Sequence, residues 1–251
     1  MARLLAAILL LAPETVTLAY RFPKDLVYEE TTERRFVFDQ KVDGEKQRMA
    51  RSSLETLRRT VLEADASHHP TLERIEVVRF ETTVEESPGE EIGTTADPVQ
   101  GKTFLWRRLA DRWGLFDAKQ EVTELHPRLV DRLMNWRDAR LPKGAVAVGA
   151  TWEVSAQTYL ETAGQPVPRG VEGAALFKLE LVEAGVARVA FTFHGSARVG
   201  GELQSWEQKG TWTFDLAKGR DQEATTEGTV KVEGPNGGAG VFSMTRKVRY
   251  P

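Results

Sequence analysis

The chain of 251 residues contains no cysteine. Disulfides, thiolate zinc sites, iron–sulfur clusters and cysteine nucleophiles are excluded together, as is lipid anchoring through an N-terminal cysteine. Excess charge is also missing. Lysine and arginine total 34 against 37 acidic residues, a net of −3. No overall field therefore draws the chain to DNA, RNA or an anionic bilayer. The apolar run from Leu4 to Ala12 falls well short of the roughly 20 residues a spanning helix needs, so no transmembrane span is expected. The Gly-x-Ser-x-Gly turn of serine hydrolases is absent. Adjacent His68 and His69 point to opposite faces if extended and have no third ligand nearby, so they read as turn residues before Pro70. Gly101-Lys102-Thr103 ends like a phosphate-binding loop, but position 96 is Ala where that loop needs its first glycine.

What is present reads mainly as β-strand. Residues 1–12, with Arg3 ahead of the apolar run, read as a secretory signal, which places the protein in the periplasm or outside the cell. A buried N-terminal segment of a cytoplasmic protein is the alternative. Residues 13–120 form a first β half. Val16, Leu18, Tyr20 and Phe22 alternate as one face of a strand, and Phe36 and Phe38 share one side of the next. Asp43-Gly44 marks a hairpin turn. Residues 46–64 fit a helix or a strand; strand is chosen because a similar strand, Glu-Ala turn and strand recurs later. The stretch from Glu85 to Pro98, broken by Pro88-Gly89, Gly93 and Asp97-Pro98, reads as a solvated acidic loop. Gly101 to Asp117 reads as a hairpin turning near 109–112.

Residues 121–141 hold the clearest helix signal. Val122, Leu125, Leu129, Leu133 and Trp136 recur at steps of three and four, giving an amphipathic helix over about 126–139. Pro142 and Gly144 end it. A second β half, 142–251, begins there; the halves also read as one continuous domain. Val154, Ala156 and Leu160 alternate with polar residues after Trp152, which predicts a strand over 152–160. Strand faces follow at Phe177 to Leu181, Ala187 to Phe193, Trp212 to Leu216, Glu223 to Glu233 and Phe242 to Tyr250. Turns fall at Ala184-Gly185, Lys218-Gly219 and Asn236-Gly237-Gly238. Matching order across the halves suggests an internal duplication. The predicted architecture is antiparallel twisted sheets, half-barrel or sandwich-like, with one helix.

The joint from Leu141 to Trp152 carries Pro142, Gly149 and Trp152. It resembles the Leu-Pro-x-x-x-Val-x-Val-Gly-x-x-Trp signature of an uncharacterised family of bacterial exported β-proteins. Tyr20-Arg21-Phe22 upstream and Phe214-Asp215 with Gly219-Arg220 downstream match that family's pattern; Ala150 stands where an Asp is common. The resemblance implies export and a β fold, and no activity.

No catalytic residues, metal ligands or cofactor are assigned. The expected role is non-enzymatic: an exported or envelope protein holding an apolar ligand such as a lipid in a β cleft. Trp106, Trp113 and Trp136 are the candidate contacts, because they lie near the helix in sequence and aromatics suit such clefts. The alternatives are a structural or protein-interaction module of the envelope and, third, a hydrolase with an unrecognised carboxylate site.

Overall fold

A computed structural model describes residues 15–42, 45–87, 90–108, 113–117, 137–162, 167–234 and 237–250. The predicted helix over 126–139 and Trp136 lie outside these residues, except that residues 137–140 form a single 3-10 turn. The described chain is mainly antiparallel β, as expected. The strands are β1 (Thr15–Val16), β2 (Val27–Val42), β3 (Glu45–Ala64), β4 (Pro70–Ser87), β5 (Glu90–Ala96), β6 (Thr103–Arg108), β7 (Trp113–Asp117), β8 (Val146–Ala147), β9 (Thr151–Ser155), β10 (Glu172–Glu183), β11 (Val186–Val199), β12 (Glu202–Asp215), β13 (Arg220–Glu233) and β14 (Gly238–Arg249). The helix is α1 (Ala156–Thr162).

Twelve strands make one open sheet in the order β7-β6-β4-β3-β2-β14-β13-β12-β11-β10-β9, with β5 added on β4. Two runs of consecutive hairpins meet where β14 pairs with β2. The sheet ends on β7 and β9 and does not close. Both edge strands are short, six residues or fewer, which limits the unpaired backbone they present. A separate two-stranded ladder joins β1 to β8.

Alternation sets two faces. The outer face is laced with exposed pairs such as Lys209–Glu227 at 2.9 Å and Arg188–Glu180 at 3.3 Å, each worth about 1 kcal/mol or less. A trough of about 810 Å³ on this face has a mixed lining, with Arg35, His194 and Lys209 beside Val37 and Val241. The inner face carries the core. Its main cluster joins Tyr28, Phe177, Phe193, Trp212 and Phe214 with α1 and residues 18–22. Full burial of each large side chain contributes roughly 1.5–3 kcal/mol. A second cluster, under β3, β4 and β6, holds Leu57, Ile75, Phe104 and Trp106.

Three expectations need correction. Residues 16–22 are not a sheet strand. Only Thr15 and Val16 pair, while Leu18, Tyr20 and Phe22 keep their alternate burial as a strap over the inner face. Residues 90–96 are not loop: they pair along β4 as β5, the threonines 94 and 95 suiting a ladder. Residues 156–162 are helix, not strand. Ser155 caps it, its Oγ accepting from the Thr158 N–H at 3.3 Å. Ala156 and Leu160, four apart, satisfy either period, and the cap decides.

Candidate functional site

The long strands position everything that follows. At roughly 3.3 Å per residue, the 20 residues of β3 extend far past the core. Both clusters sit toward one end of the strands. The opposite end, where β2 passes to β3, β11 to β12 and β13 to β14, keeps an inner face that is only partly covered.

Two buried ionic groups lie at the covered end. Asp221 is fully buried. It accepts from the guanidinium groups of Arg140 and Arg246 and from the Tyr20 hydroxyl at 2.8 Å. Tyr20 in turn accepts from Arg140 Nε at 3.2 Å. Burial works against the Arg140 charge, but Asp221 and Tyr20 outweigh it and hold the guanidinium above its ordinary value. In the second group Arg59 donates to Glu30 at 3.0 Å and Glu73 at 3.3 Å, and the Tyr28 hydroxyl donates to Glu73 at 2.8 Å. Burial pulls the Glu73 carboxyl up, with Arg59 and Tyr28 opposing. Every charge in these groups has an opposite charge beside it, two guanidiniums on one carboxylate in the first and one guanidinium between two carboxylates in the second, and the side chains are largely packed away from solvent. Their chemistry is cross-linking of distant segments, not turnover. Burial also pushes the Tyr159 phenol up against a smaller opposing effect of Arg140; its hydroxyl donates to Gln208 Oε1 at 2.8 Å.

The uncovered end is different. Register places Arg51, Phe36, Phe242, Gly228 and Gln208 in one cross-strand row on the inner face. The next row toward the tips is Met49, Phe38, Gly240, Val230 and Trp206. Phe36, Phe38, Phe242, Met244 and Trp206 are half-buried and Met49 is 45% exposed. Phe36 and Phe38 stack with centroids 5.8 Å apart. Glycine makes this floor possible. A Cβ on Gly228 would meet the Phe242 ring at 2.8 Å, and one on Gly240 the Phe38 ring at 2.7 Å. Each ring therefore lies across bare backbone of the facing strand. Carbonyl oxygens of the neighbouring strands, Glu207 and Val37, crowd the same positions. The floor is apolar. Two polar features interrupt it. The Gln208 Nε2 is buried with no partner among the described residues. Arg51 is exposed, and its contact is Thr82 Oγ1 at 3.5 Å.

The residues chosen from sequence fall elsewhere. Trp106 is 6% exposed in the second core cluster, on β6. Trp113 begins β7, and its side chain and the whole of Trp136 lie outside what is described. The joint residues cluster at the covered end. Pro142 precedes β8, and Gly149 takes a positive φ of 89° while its N–H donates to Leu179 O at 2.7 Å. Trp152 stacks on Phe177 at 5.6 Å, and its indole N–H donates to Arg140 O at 2.8 Å. Arg51, Arg59 and Asp221 were not singled out by sequence reasoning. The signal available was the set of glycines 228, 238 and 240 inside runs otherwise strand-like.

No family model matches the chain, and no curated protein matches it. Among solved structures it is similar to Pseudomonas aeruginosa OccK11 (OpdR), at 12% identity over 90% of this chain and 66% of that one, with a TM-score of 0.21. It is also similar to OccK1 (OpdK) of the same organism, at 9% identity over 87% of this chain and 66% of that one, with a TM-score of 0.17. The chain thus spans 66% of the length of either protein, and scores this low assign it no activity.

Proposed function

We propose that this chain is a non-enzymatic binding protein that holds an apolar ligand, such as a lipid acyl chain, on the inner face of its sheet, and that it works outside the cytoplasm. One observation carries the reading: the inner face continues past the core as an apolar floor of Phe36, Phe38, Phe242 and Trp206 that the protein leaves partly exposed. Exposed apolar surface of this kind costs solubility and marks a binding surface.

A neutral fluorescent probe, N-phenyl-1-naphthylamine, tests this. Saturable enhancement is expected, and the double variant Phe38→Asp, Phe242→Asp is expected to weaken binding about tenfold or more, since two aromatic contacts are lost. No enhancement, or equal binding by the variant, contradicts the reading. Export has its own test. N-terminal sequencing of protein from its host is expected to begin beyond residue 12; a retained Met1 contradicts export.

The second reading, a protein-interaction surface, draws on the same floor being an open face and not a sealed cavity. It predicts no probe saturation and capture of a protein partner instead.

A further inference from the structure

We infer that the ligand of this floor is a long-chain amphiphile with a single anionic head, of the fatty-acid carboxylate kind, and that Arg51 takes the head group. The inference rests on the proposed reading of the floor and names the ligand class for it.

The argument comes from how this protein treats cations on its inner face. In β2, β3 and β14 the inner-face cations are Arg34, Arg51, Arg59 and Arg246. Arg34 has Glu55 at 2.9 Å, Arg59 has Glu30 and Glu73, and Arg246 has Asp221. Arg51 alone of the four has no carboxylate among the described residues. Its neighbours in the row are apolar: Phe36 faces it on β2 and Val84 on β4. A guanidinium set in an apolar surface loses hydration unless an acceptor compensates. Its planar fork matches a carboxylate through two parallel hydrogen bonds.

The row then gives the ligand a direction. From Arg51 it runs over Phe36 and Phe242 to Gly228, where the Phe242 ring lies across the bare backbone. Those steps cross three strand spacings, roughly 14 Å, the scale of an alkyl chain laid across the strands. One cation matches one negative charge, and from Phe36 to Gly228 the row offers only apolar contact. A neutral hydrocarbon leaves Arg51 uncompensated, and a polyanion finds no second cation in the row.

Titration with dansyl-labelled undecanoic acid and with its methyl ester tests the inference. The acid is expected to bind about tenfold tighter than the ester, the scale of one charge-assisted contact. Arg51→Gln is expected to bring the acid to the ester's affinity and to leave the ester unchanged; Arg51→Lys is expected to keep part of the preference. Arg51 is exposed, so the urea midpoint should stay with the native protein, which separates head-group loss from misfolding. If acid and ester bind equally to the native protein, or Arg51→Gln leaves the acid unchanged, the head-group inference falls while the floor stands. If neither probe binds, both fall.

Discussion

Replacing Asp221 with Ala is expected to lower the unfolding free energy by about 3–5 kcal/mol, the range for breaking a buried ion pair from one side. Asp221 joins three parts of the chain that are distant in sequence. Tyr20 belongs to the N-terminal strap, Arg140 to the segment before the joint, and Arg246 to β14. The Tyr250 hydroxyl adds a bond to the Asp221 carbonyl at 2.9 Å. Removing the carboxylate leaves two guanidinium groups together without their shared counter-charge. The strap should then loosen: Tyr20 loses its acceptor, although its ring still packs edge-on to Phe214 at 5.3 Å. Urea unfolding measures the loss, and limited proteolysis near Arg21 reads the strap. Adding Arg140→Met and Arg246→Met to the Asp221→Ala variant should recover part of the stability, because it removes the unpaired charges. A loss below about 1 kcal/mol, the scale of an exposed pair, would show that the cluster is hydrated.

Arg59→Met is expected to cost a similar amount, about 3–5 kcal/mol near neutral pH, and to make stability depend on pH. Arg59 is 1% exposed and lies between Glu30 and Glu73. Burial raises the Glu73 carboxyl above its ordinary value of 4.5, with Arg59 the main opposing influence. The sign follows from linkage. A carboxyl raised in the folded state binds its proton more tightly there, so its contribution to stability is full below the unfolded value and is lost as pH rises through the folded one. Without Arg59 that rise grows. The deficit of Arg59→Met should therefore shrink as pH falls toward 4.5, and Glu73→Gln in the same background should remove most of this dependence. Denaturation at a series of pH values measures it. A deficit that does not change with pH would contradict the account of Glu73.

Much of the sheet was legible because alternation and turn chemistry are local. Phe177 to Leu181, the Ala184-Gly185 turn and Ala187 to Phe193 lie in β10 and β11 as read. Residues 46–64 form β3, where period alone left helix and strand open. Errors arose where two periods coincide or where a breaker reads as a loop. Ala156 and Leu160, four apart, fit both periods, and the Ser155 cap separates them. Pro88-Gly89 reads as a breaker, which a strand can follow as readily as a loop.

The site was less legible, for a physical reason. Phe36 and Phe38 read correctly as one side of a strand. That Phe242, Gly228 and Arg51 share a row with Phe36 depends on register among β3, β2, β14 and β13, and register is fixed by non-local pairing. Tyr20 and Asp221 meet across 201 positions. No local pattern announces such a contact. Tryptophans drew the sequence reading toward Trp106, which the fold spends on core. Phenylalanine opposite glycine makes the open floor.

Native mass spectrometry of the protein purified from its own host tests the central claim most directly. The account predicts added mass of an acyl-chain amphiphile on a fraction of the molecules, released by mild activation and lost in the Phe38→Asp, Phe242→Asp variant. A clean protein mass that takes up no lipid on titration would contradict it.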